Sequence, residues 1–157
     1  MKKSNHIDND GNAQMVDVSE KNSTKRRAIA SGEISLSEDA LISIKKNINK
    51  KGDVLTVAQI AGIQAAKSTS TLIPLAHQLE IKAINIHFEI QSEKIKCISE
   101  IISDGKTGVE IEALCATQVS LLTIYDMCKY LDKSMIISDV KLNLKEGGKS
   151  GQFKREP

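Results

Sequence analysis

Asp126 and Lys129 stand three residues apart in LTIYDMCK, a spacing that puts both side chains on one face of a helix. As an exposed ion pair they would contribute roughly 0.2 to 0.5 kcal/mol. A carboxylate beside an ammonium is also an acid/base couple whose proton affinities burial can tune. Glu110 and Glu112 open the same segment. Two apart on a helix they diverge, so only one can easily point into a shared site, and both are ordinary first-turn acids favoured by the helix dipole. His77 follows Pro74 among apolar neighbours; it is either a hydrogen-bonded structural residue or a group for proton transfer near neutral pH. His6, near the N-terminus, and His87, on an alternating segment, have weaker claims.

Lysines supply the means to hold an anion. Lys51 precedes Gly52-Asp53 at a helix start, where free backbone N–H groups already favour a phosphate. Lys145 and Lys149 flank Gly147-Gly148, and Lys106 sits in DGKTG. That string contains GKT but lacks the first glycine of a P-loop at its required spacing. It also follows a hairpin strand rather than opening a βαβ unit, so an NTPase is excluded. Taken alone, these spacings describe a small α+β domain that binds a phosphorylated ligand.

The elements that must position these residues follow from periodicity. Ala28–Ile34 reads as a strand. Ser37 with Glu38 and Asp39 is a helix N-cap with acids in the first turn, and Leu41, Ile44 and Ile48 then mark one helix face. Asp53 opens a second helix, Val54–Lys67, whose alanines and Gly62 allow close packing. Ser68–Thr71 ends it, and Leu72–His77 is a loop fixed by Pro74. Ile81–Phe88 and Lys94–Ser103 alternate with a period of two around a turn at Gln91–Glu93, an antiparallel hairpin. A long helix spans about Val109–Leu131, and the last strand is Met135–Leu144, followed by a polar tail. This order is βαββαβ with one extra helix, which predicts a ferredoxin-like α+β sandwich on an antiparallel sheet.

Composition narrows the function classes. The 157 residues suit one domain, 1–157, with about 1–12 and 150–157 expected to be flexible. A net charge of +2 and 3% aromatics, with no Trp, argue against nucleic-acid binding. No apolar run approaches the roughly 20 residues of a membrane span, and residues 1–11 lack a signal-like apolar core, so the cytoplasm is expected. Cys97, Cys115 and Cys128 form no CxxC pair and read as buried thiols rather than as a disulfide framework or zinc site.

The blocks MVDVS (15–19), KGDV (51–54), AQIAGIQAAK (58–67), LIPLAH (72–77), TGVEIEAL (107–114), LTIYDMCK (122–129) and GGKSG (147–151) occur in one order. Together they closely resemble the molybdenum cofactor biosynthesis protein C family, the cyclic pyranopterin monophosphate synthases, over roughly residues 7–153. The resemblance implies a ferredoxin-like fold and a homohexamer built as a trimer of dimers. It also implies a lyase reaction converting cyclised dihydro-GTP to cyclic pyranopterin monophosphate with loss of pyrophosphate. It implies no metal and no organic cofactor. Carried over by motif, Asp126 and Lys129 form the catalytic couple, with Lys51 supporting the triphosphate or handling a proton. Leu75, Ala76, His77, Ile111 and Glu112 would line the pterin site, beside Glu110. Lys145 and Lys149 would hold the triphosphate, with Asp17 and Arg26 as further candidates for that pocket. The family loop usually reads LIPLCHPL, whereas this chain has Ala76 and Gln78 in place of Cys and Pro. If the chain is active, that Cys is no essential nucleophile, and the loop after His77 is less rigid. A catalytically weak nucleotide-binding subunit of the same fold is the competing reading, favoured only by this loop.

Overall fold

The computed structural model describes residues 6–8, 10–149 and 151–156. The elements run β1 (Thr24–Ser35), α1 (Glu38–Lys45), α2 (Val54–Lys67), α3 (Thr69–Leu72), β2 (Ile81–Ile90), β3 (Lys94–Gly105), α4 (Glu110–Cys128), β4 (Ile136–Glu146) and β5 (Phe153–Lys154). The strands form one sheet in the order β2-β3-β1-β4-β5, every pair antiparallel. With the edge strand β5 set aside, this is the ferredoxin-like order that the βαββαβ pattern predicts.

Strand alternation sorts the two faces of the sheet. Ala28, Ala30 and Ile34 of β1 and Ile95, Cys97 and Ile101 of β3 are fully buried beneath the helices. The opposite face carries charge: Arg27 bridges Glu100 at 2.6 Å and Glu146 at 3.1 Å, and Lys94 meets Glu33 at 2.6 Å. A sheet covered on one face alternates in this way.

The helical layer consists chiefly of α2 and α4, packed side by side, with α4 lying across β1, β3 and β4. Small residues let them approach. A methyl group at Gly62 of α2 would lie 2.6 Å from Ile86 Cδ1 and 2.9 Å from the Ala116 carbonyl. At the seam, Ser120 Oγ donates to the Ala58 carbonyl at 3.0 Å, and Thr117 Oγ1 lies 3.0 Å from both Ser99 Oγ and the Ala113 carbonyl. These bonds satisfy hydroxyls that would otherwise be costly to bury.

Both expected helix caps form. Ser37 accepts from the Ala40 amide, and Asp53 accepts from the Thr56 amide at 3.0 Å. Several boundaries differ from the sequence reading. Helix α1 ends at Lys45 and the chain leaves it through Asn47 at φ +51°, so Ile48, expected on the helix's apolar face, lies beyond it and is 64% exposed. Strand β1 begins at Thr24, four residues before Ala28. The serine and threonine run after α2 makes the short helix α3 rather than a plain terminator, with Thr69 Oγ1 bonded to the Ala65 carbonyl. Helix α4 stops at Cys128, three residues early, as the chain turns through Leu131 N bonded to the Cys128 carbonyl. The final strand continues to Glu146, so Lys145 belongs to β4 rather than to the tail, and part of the tail returns as β5. Of the segments expected to be flexible, residues 1–5, 9, 150 and 157 lie outside the described residues. The three cysteines are free and buried, and burial pushes the Cys97 and Cys128 thiols up to about 11.

Candidate active site

Helix α4 carries candidate chemistry at both ends. At its C-terminal end Asp126 accepts from Lys129 Nζ at 2.7 Å through Oδ1 and from Lys51 Nζ at 2.9 Å through Oδ2. Lys51 Nζ also donates to the Asp126 carbonyl at 2.9 Å, one of the carbonyls a helix end leaves without an intrahelical partner. The (i, i+3) pair is therefore formed, and the loop before α2 delivers a second cation. The Lys129 ammonium first, and the Lys51 ammonium next, hold the Asp126 carboxyl down at about 2. The same carboxylate raises the Lys129 ammonium. Both groups are ionised near neutral pH, and all three side chains are about half exposed.

At the other end of α4 lie two adjoining cavities. One, of about 450 Å³, is lined by Leu75, Ala76, His77, Ile111 and Glu112, with Val16, Val18 and Lys21 closing it from the chain before β1. Pro74 and the turn bond from Ala76 N to the Ile73 carbonyl shape the loop, and His77 Nε2 lies 2.8 Å from the Val16 carbonyl. Glu112 is 4% exposed. Burial first, and the neighbouring Glu110 carboxylate as well, push its carboxyl up to about 6, partly opposed by a backbone hydrogen bond.

The second cavity, of about 760 Å³, is lined by Lys21, Arg26, Lys106, Lys145 and Lys149, against the acids Glu20 and Glu110. The 8%-exposed Arg26 spreads its fork to the Gly105 carbonyl at 3.1 Å and the Lys106 carbonyl at 3.2 Å. Gly147 and Gly148 take φ of +97° and +79°, and a side chain at Gly148 would collide with the Arg26 guanidinium. Lys145 lies 3.8 Å from Glu110, and Lys106 Nζ donates to the Ser19 carbonyl at 2.7 Å. Glu110 and Glu112 thus diverge into different cavities, as their spacing predicts. Lys21, Thr107 and Gly108 line both, so the cavities are neighbours.

Asp17 lines neither cavity. It is exposed between Val16 and Val18 and accepts from the Ser19 amide at 2.8 Å. The lysine at 21 escaped sequence reasoning because its segment has no period; only its place against the 107–108 turn marks it. A further cavity of about 690 Å³, between α1 and the turn after α4, is lined by residues such as Leu41, Asp132 and Ile136 and contains none of the expected site residues. Among the described residues no group of three His, Cys, Asp or Glu side chains is placed to hold a metal, and no helix is long and apolar enough to cross a membrane.

Known proteins share this arrangement of sequence. Residues 15–148 match the model of the MoaC family. The chain belongs to the MoaC family. It is 53% identical over 156 residues to a protein of Clostridium botulinum named cyclic pyranopterin monophosphate synthase, covering 98% of both chains. A protein of the same name from Clostridium acetobutylicum is 51% identical over 96% of this chain and 94% of its own. Another from Staphylococcus carnosus is 49% identical, with 96% of each chain covered. In this MoaC chain every residue carried over by motif except Asp17 joins one of two groups, whereas His87 lies exposed on β2 and lines neither cavity. Lys51, Asp126 and Lys129 gather at one end of α4, and the remainder gather at the other. Asp126 lies 16 positions along the helix from Glu110, about 24 Å at 1.5 Å per residue.

Proposed function

We propose that this chain is a cyclic pyranopterin monophosphate synthase of molybdenum cofactor biosynthesis. It acts on cyclised dihydro-GTP and releases pyrophosphate. The observation that carries the reading is the pair of adjoining cavities at the start of α4. One has apolar walls with His77 and Glu112, suited to a heteroaromatic ring; the other is lined by five cations against two carboxylates, suited to a triphosphate. Near-full-length identity to relatives of that name supports the same reading.

The chemistry divides among the groups present. Rebuilding a purine-derived ring needs several proton transfers, and a carboxyl poised at about 6 is suited to exchange protons near neutral pH. Expelling pyrophosphate needs cations on the departing charge, which Arg26, Lys145 and Lys149 can supply. Asp126 and Lys129 form the proposed catalytic couple with Lys51 beside them, and helix α4 holds Asp126 about 24 Å from Glu110 at this cavity. A two-fold pairing of chains, in which each contributes one end of α4 to the other's cavity, unites them. The homohexamer built as a trimer of dimers is the assembly proposed for this, and a small phosphorylated substrate is the proposed partner in the cytoplasm.

The test is incubation with cyclised dihydro-GTP, followed by detection of cyclic pyranopterin monophosphate and pyrophosphate. Product is expected, and it disappears in Asp126→Ala and in Glu112→Ala. Mixing those two inactive variants under subunit exchange restores up to about a quarter of the sites, because one of the two sites in each mixed pair is wholly native. No recovery in mixed oligomers would remove the shared site. No product from well-folded native protein would remove the synthase reading and favour a binding subunit.

A further inference from the structure

We infer that Asn49 is a positioning residue for the proposed catalytic couple: its side chain ties the loop bearing Lys51 to the turn of α4 bearing Asp126 and Lys129. The inference rests on the reading that this couple serves the reaction. In the loop between α1 and α2, Ile48 is 64% exposed, whereas Asn49 is 8% exposed. Its Oδ1 accepts from the Lys51 amide at 2.9 Å, and its Nδ2 reaches the Met127 carbonyl at 3.4 Å and Cys128 Sγ at 3.6 Å. One amide thus joins the residue two positions after it to the two residues that separate Asp126 from Lys129.

The donor and acceptor pattern explains the residue type. A backbone N–H can only donate and a carbonyl can only accept, so the side chain between them must offer an acceptor on one side and a donor on the other. Asn has both at this length. Asp keeps the acceptor but loses the donor, and an apolar residue offers neither. The local turn needs only the first bond, since an Asx-turn closes on the amide two residues ahead. The second contact reaches across to α4 and does nothing for the loop itself. Tyr130 holds the same loop from its other side, its hydroxyl accepting from the Lys50 amide at 3.2 Å. Lys51 needs such support because its ammonium ends a flexible four-carbon stem and is about half exposed. Fixing the loop backbone fixes where that stem begins, and so where Nζ meets Asp126.

The test uses the full-length protein in its native assembly with cyclised dihydro-GTP. In Asn49→Ala, kcat is expected to fall by about 10- to 100-fold, the scale of a displacement near 1 Å in a reacting constellation, with KM little changed. Asn49→Asp, which keeps shape and turn acceptor but has no donor for α4, is expected to lose turnover similarly, and it decides the matter if Asn49→Ala does not fold. Thermal unfolding of each variant above the assay temperature separates misplacement from loss of folded protein. In a Lys51→Ala background, read as single-turnover rates with protein in excess, the Asn49 substitutions are expected to add no further loss, because they act through Lys51. Unchanged kcat in both folded variants would overturn the inference, as would an equal fold-loss with and without Lys51. Absence of product from the native protein would instead strike the synthase reading, so the two failures are distinguishable.

Discussion

Replacing Glu112 by Gln should make the protein more stable at pH 8 and leave it unchanged near pH 4.5. Burial pushes this carboxyl from its ordinary 4.5 to about 6. A raised carboxyl means that the folded state prefers the protonated form. The associated stability is fully present below the unfolded value and is lost as pH rises through about 6. At 1.36 kcal/mol for each pH unit of displacement, the buried charge costs about 2 kcal/mol once it is fully formed. Gln has nearly the same shape and carries no charge to bury. For a chain of this size about 2 kcal/mol corresponds to roughly 4 to 8 °C in melting temperature. Thermal unfolding of wild type and Glu112→Gln at intervals from pH 4.5 to 8 should show two curves that coincide at the acid end and separate through pH 6. A constant gap across that range would refute the reasoning. The same titration should appear in turnover, as an inflection near pH 6 in the native enzyme.

Gly62→Ala should destabilise by about 1 to 3 kcal/mol despite alanine's better helix propensity, because the added methyl meets the Ala116 backbone carbonyl at 2.9 Å, which cannot rotate away; differential scanning calorimetry reads the loss. Lys145→Ala should raise KM for the triphosphate substrate more than it lowers kcat, and the penalty should shrink as ionic strength rises; a salt-independent penalty would argue against a charge role.

The fold was legible wherever one local rule dominated. Helix α2 is capped by Asp53 and runs from Val54 to Lys67 as read, because its cap and its alanine-rich face point to the same boundaries. The hairpin was clear because Ile84, Ile86 and Phe88 alternate with Asn85, His87 and Glu89. The misreadings lie where a side chain competes with a propensity. Ser68–Thr71 looks like a breaker, yet Thr69 turns its hydroxyl back to the Ala65 carbonyl and lets a further helical turn form. Strand β5 is only two residues long and exists because β4 offers an edge at Leu144 and Lys145, which no period in the tail discloses.

The candidate site divides along the same line. Asp126 and Lys129 were visible from spacing alone, because helix geometry forces (i, i+3) side chains together. Leu75, Ala76, Ile111 and Arg26 came only through family resemblance, since a loop, a helix start and a strand converge there through tertiary contacts. Lys21 and Asn49 had no such signal: each acts from an aperiodic segment through one or two hydrogen bonds or a cavity wall. Helix α4 sets the remaining limit on what one sequence can disclose. A 19-residue rod fixes the distance between its ends, so no rearrangement within one chain can close Asp126 onto the Glu112 cavity while the helix persists. Periodicity can assign each group to its end of the rod. In the proposed assembly a two-fold axis brings the ends together, and such an axis leaves no periodic trace in the chain it relates.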